Sequence, residues 1–245
     1  IRIRDWSSDV CSSDPAYRAV LKHAFIAAMG AMVVIGGASA DDTKTRLVVD
    51  VDATENLAGV QFTNNKTDEN GGAIFNSGTL TLGDGVSFTG NSANFGGAVW
   101  NDGKMEIAPG TKFVGNNSKK AAGALYNSGT GTLGNLIGVV FENNTAAQGG
   151  AINNSKTLPN VKGGTINLIS KSHFIGNSGG KSQGGAIRNQ GTISTITDSV
   201  FDSNIAGNGG AINNGTWGSL VKGIYKTTFI NNTAVATGGN HQGGA

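Results

Sequence analysis

The sequence predicts an all-β protein folded as a right-handed parallel β-helix, a solenoid whose coils, or rungs, each hold about 26 residues in three short strands. Two short motifs that recur in step along the chain are the main support for this fold. A third, alternating segment supplies the remaining strand of each rung. The repeats contain no apolar stripe at helical spacing, and their many Gly and Asn residues oppose a helix.

The first motif is Gly-Gly-Ala followed by an aliphatic residue. Its copies begin at Gly71, Gly96, Ala122, Gly149, Gly184, Gly209 and Gly243. The aliphatic residues, which we predict to point inward, are Ile74, Val99, Leu125, Ile152, Ile187 and Ile212. The next position varies freely and is predicted to face solvent; it holds Phe75, Trp100, Tyr126, Asn153, Arg188 and Asn213. The Gly pair predicts a corner that needs positive φ or close backbone approach.

The second motif is a Phe followed three residues later by an Asn. Its copies are Phe62/Asn65, Phe88/Asn91, Phe113/Asn116, Phe141/Asn144, Phe174/Asn177, Phe201/Asn204 and Phe229/Asn232. Successive Phe residues are separated by 26, 25, 28, 33, 27 and 28 residues. We expect the Phe side chains inside the solenoid, and the Asn side chains at a corner, stacked in a hydrogen-bonded ladder.

The third segment alternates polar and apolar residues, as a half-buried strand does. Examples are Thr79–Leu82, Lys104–Ile107, Thr165–Leu168 and Gly191–Ser194. A single rung cannot bury its apolar side, so the rungs are expected to stack, each strand pairing in parallel with its counterpart one rung along.

Together these motifs resemble the repeat of the chlamydial-type polymorphic outer-membrane proteins, which belong with the autotransporter passengers. The resemblance extends from about Gln61 to Ala245, with Ala122 replacing a Gly of the pattern. It implies a secreted, adhesin-like passenger at the outer membrane or cell surface, with a host or neighbouring-cell protein or glycan as partner. It also implies a C-terminal barrel that joins the passenger to the outer membrane, expected beyond Ala245.

The N-terminal part of the chain divides into three predicted segments. Residues 1–14 look like translated adapter sequence and are set aside as non-native. Residues 15–40 have the basic start, short apolar run and Ala38-Ser39-Ala40 end of a signal peptide. Residues 41–60 include a strand at Leu47–Val51 and are interpreted as a cap on residues 61–245, the repeat domain.

The composition argues against several functional classes. The formal net charge is +2, which gives no reason to expect nucleic acid as a partner. The single cysteine, Cys11, falls in the segment set aside, so no cysteine metal site is predicted. We expect no metal and no cofactor.

The candidate binding residues come from the outward series and from one longer connection. Phe75, Trp100 and Tyr126 fall on consecutive rungs and are predicted to form an aromatic strip, which either binds a partner or stacks to stiffen the sheet. Arg188 belongs to the same series. Trp217 lies in a longer loop, and insertions in solenoids often emerge on the binding face.

An enzyme is not expected from the distribution of acidic residues. Glu142 and Asp202 each follow a repeat Phe, but they are not on adjacent rungs, and no catalytic constellation stands out. Two alternatives to an adhesin stay open. One is a carbohydrate-binding or carbohydrate-cleaving β-helical module with active residues outside this sequence, and the other is a structural surface-layer component.

Overall fold

A computed structural model describes residues 46–156, 163–215 and 219–235, together with the backbone of Val33–Gly36. Within these ranges every regular element is a β-strand. The strands form a parallel β-solenoid of about seven rungs, each of about 27 residues, as the motif spacing predicts. Among the residues just named, no helix is able to cross a membrane.

The strands are numbered in chain order. The first fourteen are β1 (Val33–Gly36), β2 (Leu47–Val49), β3 (Thr54–Leu57), β4 (Val60–Thr63), β5 (Ile74–Asn76), β6 (Thr79–Leu82), β7 (Ser87–Thr89), β8 (Ser92–Phe95), β9 (Val99–Asn101), β10 (Lys104–Ile107), β11 (Lys112–Val114), β12 (Asn117–Ala121), β13 (Leu125–Asn127) and β14 (Thr132–Ile137). The others are β15 (Val140–Glu142), β16 (Ile152–Asn154), β17 (Thr165–Ser170), β18 (His173–Ile175), β19 (Ile187–Asn189), β20 (Thr192–Thr197), β21 (Val200–Asp202), β22 (Ile205–Ala206), β23 (Ile212–Asn214), β24 (Leu220–Val221), β25 (Ile224–Tyr225), β26 (Thr228–Ile230) and β27 (Thr233–Ala234).

Three long sheets run along the solenoid. Sheet 1 carries the Phe motif and has the order β1-β4-β7-β11-β15-β18-β21-β26. Sheet 2 carries the Gly-Gly-Ala motif and has the order β2-β5-β9-β13-β16-β19-β23. Sheet 3 contains the alternating segments, in the order β3-β6-β10-β14-β17-β20, after which both β24 and β25 pair with β20. Two short pairs, β8 with β12 and β22 with β27, were not foreseen from the sequence.

Sheet 1 lines the core with a column of stacked rings. The members are Phe62, Phe88, Phe113, Phe141, Phe174, Phe201 and Phe229, with neighbouring ring centroids between 4.5 and 5.0 Å apart. All but Phe229 are fully buried. Stacked aromatic pairs contribute about 0.5–1.5 kcal/mol each beyond the apolar area they bury. The predicted inward position of the Phe motif is therefore confirmed.

Two ladders of Asn side chains hold the corners, and all of their members except the last ones, Asn232 and Asn214, are buried. In the first, each Nδ2 donates to the Oδ1 of the Asn one rung along, over 2.9–3.0 Å; its members are Asn65, Asn91, Asn116, Asn144, Asn177, Asn204 and Asn232. This ladder was predicted. The second spans 2.6–2.8 Å per step through Asn76, Asn101, Asn127, Asn154, Asn189 and Asn214, and the sequence analysis missed it.

The Gly pairs meet both predicted requirements, one at each position. The first Gly has positive φ, as at Gly71 with φ of 69°. The second has no room for a side chain, because a Cβ on Gly72 would collide with the carbonyl oxygen of Gly97 on the next rung. Ala122, which replaces a first Gly, keeps a φ of 60° and is therefore a strained position.

The N-terminal segments are only partly described. Strands β2 and β3 extend sheets 2 and 3 by one rung beyond the first repeat. The interpretation of residues 41–60 as a cap stays a prediction. Val33–Gly36 belongs to the predicted signal peptide, and its backbone pairs in parallel with Val60–Thr63. The adapter-like segment, the cleavage position after Ala40 and the final motif at Gly243 lie outside the described residues and stay predictions.

Candidate functional site

Sheet 2 brings the three aromatic residues of the outward series together. Strands β5, β9 and β13 pair in register, so Phe75 lies opposite Trp100, and Trp100 lies opposite Tyr126. Because side chains alternate along a strand, Ile74, Val99 and Leu125 point inward, where they are fully buried, and the aromatic residues lie on the other side of the sheet. We call these three side chains the aromatic strip.

The rings of the aromatic strip stack on one another. The centroids of Phe75 and Trp100 are 6.2 Å apart, those of Trp100 and Tyr126 are 4.3 Å apart, and both pairs are inclined by only 2°. The facing sides are thus covered, and the ring edges are what the strip presents to solvent. The expectation that this series faces solvent needs correction, because the three aromatic residues are half-buried and Asn153 is only 2% exposed.

A further ring, which the sequence analysis missed, supports the strip. Phe95, at the end of β8, meets Trp100 and Tyr126 edge to face, with centroids 6.0 and 5.4 Å away. The Nζ of Lys120 lies 5.2 Å from the Phe95 centroid. The sequence did contain a signal for Phe95, because only this copy of the Gly-Gly-Ala motif has an aromatic residue directly before it.

The N-terminal end of the strip is closed by a cation. The guanidinium of Arg46 lies 5.4 Å from the Phe75 centroid, close enough for a cation–π interaction. Arg46 also forms an ion pair with Glu69 at 2.5 Å and donates to the carbonyl oxygen of Asn70. This end of the stack is therefore already occupied by the protein's own groups.

An open groove of about 670 Å³ runs beside the strip, toward sheet 3. Its lining residues are Val51, Ser77, Trp100, Asp102, Tyr126, Ser128, Gly129, Thr130 and Lys156. Trp100 Nε1 donates to Asp102 Oδ2 over 2.7 Å, and the Tyr126 hydroxyl bonds to Ser155 Oγ at 2.8 Å. Ring edges beside hydroxyl, carboxylate and ammonium groups suit a ligand rich in hydroxyls.

The Tyr126 phenol is held in its neutral form. Burial raises its pKa above the ordinary value, which outweighs the opposing effect of the hydrogen bond to Ser155. A neutral phenol donates to Ser155 Oγ and can still accept a hydrogen bond at the edge of the groove.

Arg188 lies two strands beyond Tyr126 on the same face of sheet 2, with Asn153 between them in register. Nε donates to Gln183 Oε1 over 2.9 Å, and Nη1 donates to Gln190 Oε1 over 2.6 Å and Asn153 Oδ1 over 3.3 Å. Burial lowers the pKa of the guanidinium, and the nearby Tyr126 opposes this effect. The structure thus places four of the five candidate residues on one face, while Trp217 lies outside the described residues.

The acidic residues considered for catalysis are held apart by the register of sheet 1. Glu142 pairs with Ile175, which in turn pairs with Asp202, so one whole rung separates the two carboxylates. In the described ranges, no three His, Cys, Asp or Glu side chains are grouped so that they could hold a metal ion.

A family model matches the chain in three places. Residues 59–77, 85–102 and 138–167 match the Chlamydia polymorphic membrane protein repeat. Each segment includes a Phe motif from sheet 1 and the whole of the sheet 2 strand that follows. The resemblance inferred from the motifs is therefore confirmed. No curated protein and no solved structure matches the chain.

Proposed function

Because the chain carries polymorphic membrane protein repeats on a β-solenoid, we propose that it is an adhesin-like passenger that binds a host or neighbouring cell. The repeats and the fold fit a surface-exposed protein. The binding role rests on one observation, the groove beside the aromatic strip, where ring edges and polar groups meet on a half-buried face. No catalytic step is part of this proposal.

The mechanism is display on a rigid rod. Stacked rings and two Asn ladders repeat the same contacts in each rung, so the solenoid holds sheet 2 in a fixed geometry. A partner that meets Trp100 and Tyr126 encounters side chains already fixed by Asp102, Ser155 and Phe95. Little side-chain entropy is then lost on binding, which favours affinity from a small contact area.

A structural surface rod is the second candidate, and a specific observation favours it. The faces of the strip are covered by one another and by Arg46, as expected if the rings only stiffen the sheet. The two functions differ in whether the exposed edges of Trp100 and Tyr126 contact anything outside the protein.

Adhesion of beads coated with the whole chain to epithelial cells and to bacterial lawns tests the proposal. Trp100→Ala should lower adhesion about tenfold or more, the size typical of an aromatic anchor. Trp100→Phe keeps a ring in the stack and removes the hydrogen bond to Asp102, so it separates stiffening from contact through the indole edge.

Tyr225→Ala is the matched control, because this residue is 60% exposed on sheet 3, away from the strip. All variants are checked by circular dichroism for an unchanged β signal. Wild-type beads that adhere no better than beads coated with albumin would leave the structural rod as the better account. If Trp100→Ala adheres as well as the wild type, the binding surface lies elsewhere on the solenoid.

A further inference from the structure

We propose that Arg188 binds the carboxylate of an acidic sugar whose hydroxyls lie along the groove at Tyr126. This inference rests on the proposed adhesive function and names the class of ligand that the face of sheet 2 recognises. It is carried by the position of Arg188, by its hydrogen bonds and by the charges around it.

Arg188 is a half-buried cation without a counter-ion among the described residues. Between described residues, ion pairs join Arg46 to Glu69 and Lys119 to Asp68. Arg188 instead touches the neutral amides of Gln183, Gln190 and Asn153. Since a partly desolvated charge is favourable chiefly when it is paired, an anion from outside completes this site.

The three amides fix the plane of the guanidinium and leave part of it unused. Nε and both protons of Nη1 are engaged, whereas Nη2 has no hydrogen-bond acceptor within the described ranges. Nη2 therefore offers two N–H donors with a preset direction. Charge-assisted bonds from such a fixed guanidinium to a carboxylate are short and strong, and little rotamer entropy is lost in making them.

The groove supplies the rest of a sugar site. Arg188 lies two strand spacings from Tyr126, roughly 10 Å, on the same face of sheet 2. Tyr126 and Lys156 both line the groove. A ligand along the solenoid axis thus meets a cation at one end and ring edges and hydroxyls at the other.

A single carboxylate fits the charge of this face better than a polyanion does. The formal net charge of the whole chain is only +2, and the groove contains the acidic Asp102 as well as Lys156. One unpaired guanidinium matches one negative group, so the affinity should depend only shallowly on salt concentration.

The test measures binding of the whole chain to defined oligosaccharides by isothermal titration calorimetry. The ligands are an oligosaccharide with a single galacturonate residue, its methyl ester and sialyllactose, with a sulfated oligosaccharide for comparison. The ester has the same hydroxyls and lacks the charge. We expect the acid to bind about tenfold or more tightly than the ester, the effect of one charge-assisted hydrogen-bonded pair.

Three variants test whether Arg188 recognises the negative charge of the ligand's carboxylate. Arg188→Gln should lower the affinity for the acid to that for the ester, because the neutral ester gains much less from the guanidinium. A purely structural role would instead lower both affinities alike. Arg188→Lys keeps the charge without the planar fork and should keep part of the preference. Lys112→Gln removes an exposed positive charge from sheet 1 and should change nothing.

The outcomes separate this inference from the proposed function. Equal binding of acid and ester, preference for the sulfated ligand alone, or an unchanged preference in Arg188→Gln would overturn the carboxylate site. If beads coated with Arg188→Gln still adhere to cells in any of these cases, the adhesive function stands without it. The chain could also bind the galacturonate ligand or sialyllactose through Arg188 without adhering to cells. That result would support the site and refute adhesion, and the acid that binds would identify the source of the carboxylate.

Discussion

Replacing one member of the first Asn ladder should destabilise the solenoid far more than replacing its exposed neighbour. In Asn144→Ala, four hydrogen bonds of 2.9–3.0 Å are lost: Nδ2 donates to Asn177 Oδ1 and to the Phe113 carbonyl oxygen, and Oδ1 accepts from the backbone N–H and the Nδ2 of Asn116. All of these groups are buried, so water cannot reach them to replace the lost hydrogen bonds.

The magnitude follows from what is left behind in the variant. The Asn116 backbone N–H loses the Oδ1 acceptor, and a buried unsatisfied donor costs about 1–3 kcal/mol. Asn116 Nδ2 keeps the Phe88 carbonyl oxygen, and Asn177 Oδ1 keeps the Asn144 backbone N–H, so these atoms lose only about 0.5–1.5 kcal/mol each. We therefore expect the free energy of unfolding to fall by about 2–6 kcal/mol.

Urea denaturation followed by far-UV circular dichroism measures this free energy, and Asn143→Gly is the control. Asn143 is exposed with a φ of 53°, and other rungs have Gly at the same place, as at Gly176. Its replacement should cost less than about 1 kcal/mol. If Asn144→Ala is no more destabilising than Asn143→Gly, the ladder does not hold the corner and the reasoning fails.

Two smaller perturbations test the local strain and the buried phenol. Ala122→Gly relieves a left-handed alanine and should raise the free energy of unfolding by about 1 kcal/mol in the same urea titration; a loss of stability would show that the position is unstrained. Because the folded-state pKa of Tyr126 is raised, its contribution to stability is complete below the ordinary tyrosine pKa and is lost as pH rises through the folded value. Thermal unfolding between pH 8 and 12 checks this. The midpoint temperature of unfolding should fall with rising pH in the wild-type protein and fall less in Tyr126→Phe, and an identical decline in both proteins would refute the prediction.

The fold was predictable because the chain contains several copies of each structural position. Comparing Ile74 with Val99 and Leu125 separates inward from outward residues as an alignment of homologues would. The register of sheets 1 and 2 then follows, since each strand pairs with its own copy one rung along. The second Asn ladder was available by the same comparison, from the Asn two residues after each aliphatic residue, and was overlooked.

The details of the candidate site were less accessible from the sequence because they occur only once. Phe95, Asp102 and Gln190 contact the strip or Arg188, but their counterparts in other rungs are different residues. The exposure of Asn153 to solvent was misjudged for a related reason. Alternation fixes the side of the sheet to which Asn153 belongs, whereas the size of its neighbours Tyr126 and Arg188 decides how much water reaches it.

Under the proposed function, any recognition of a partner has to come from the positions where the rungs differ. The inward residues and both Asn ladders repeat in each rung, so they provide rigidity but distinguish no part of the rod from another. The outward series of sheet 2 changes from aromatic residues to Asn and Arg, yet the backbone beneath it keeps the same pairing. Since these side chains lie outside the ladders, substitutions at Trp100 or Arg188 should change what the surface binds while the solenoid beneath them stays folded.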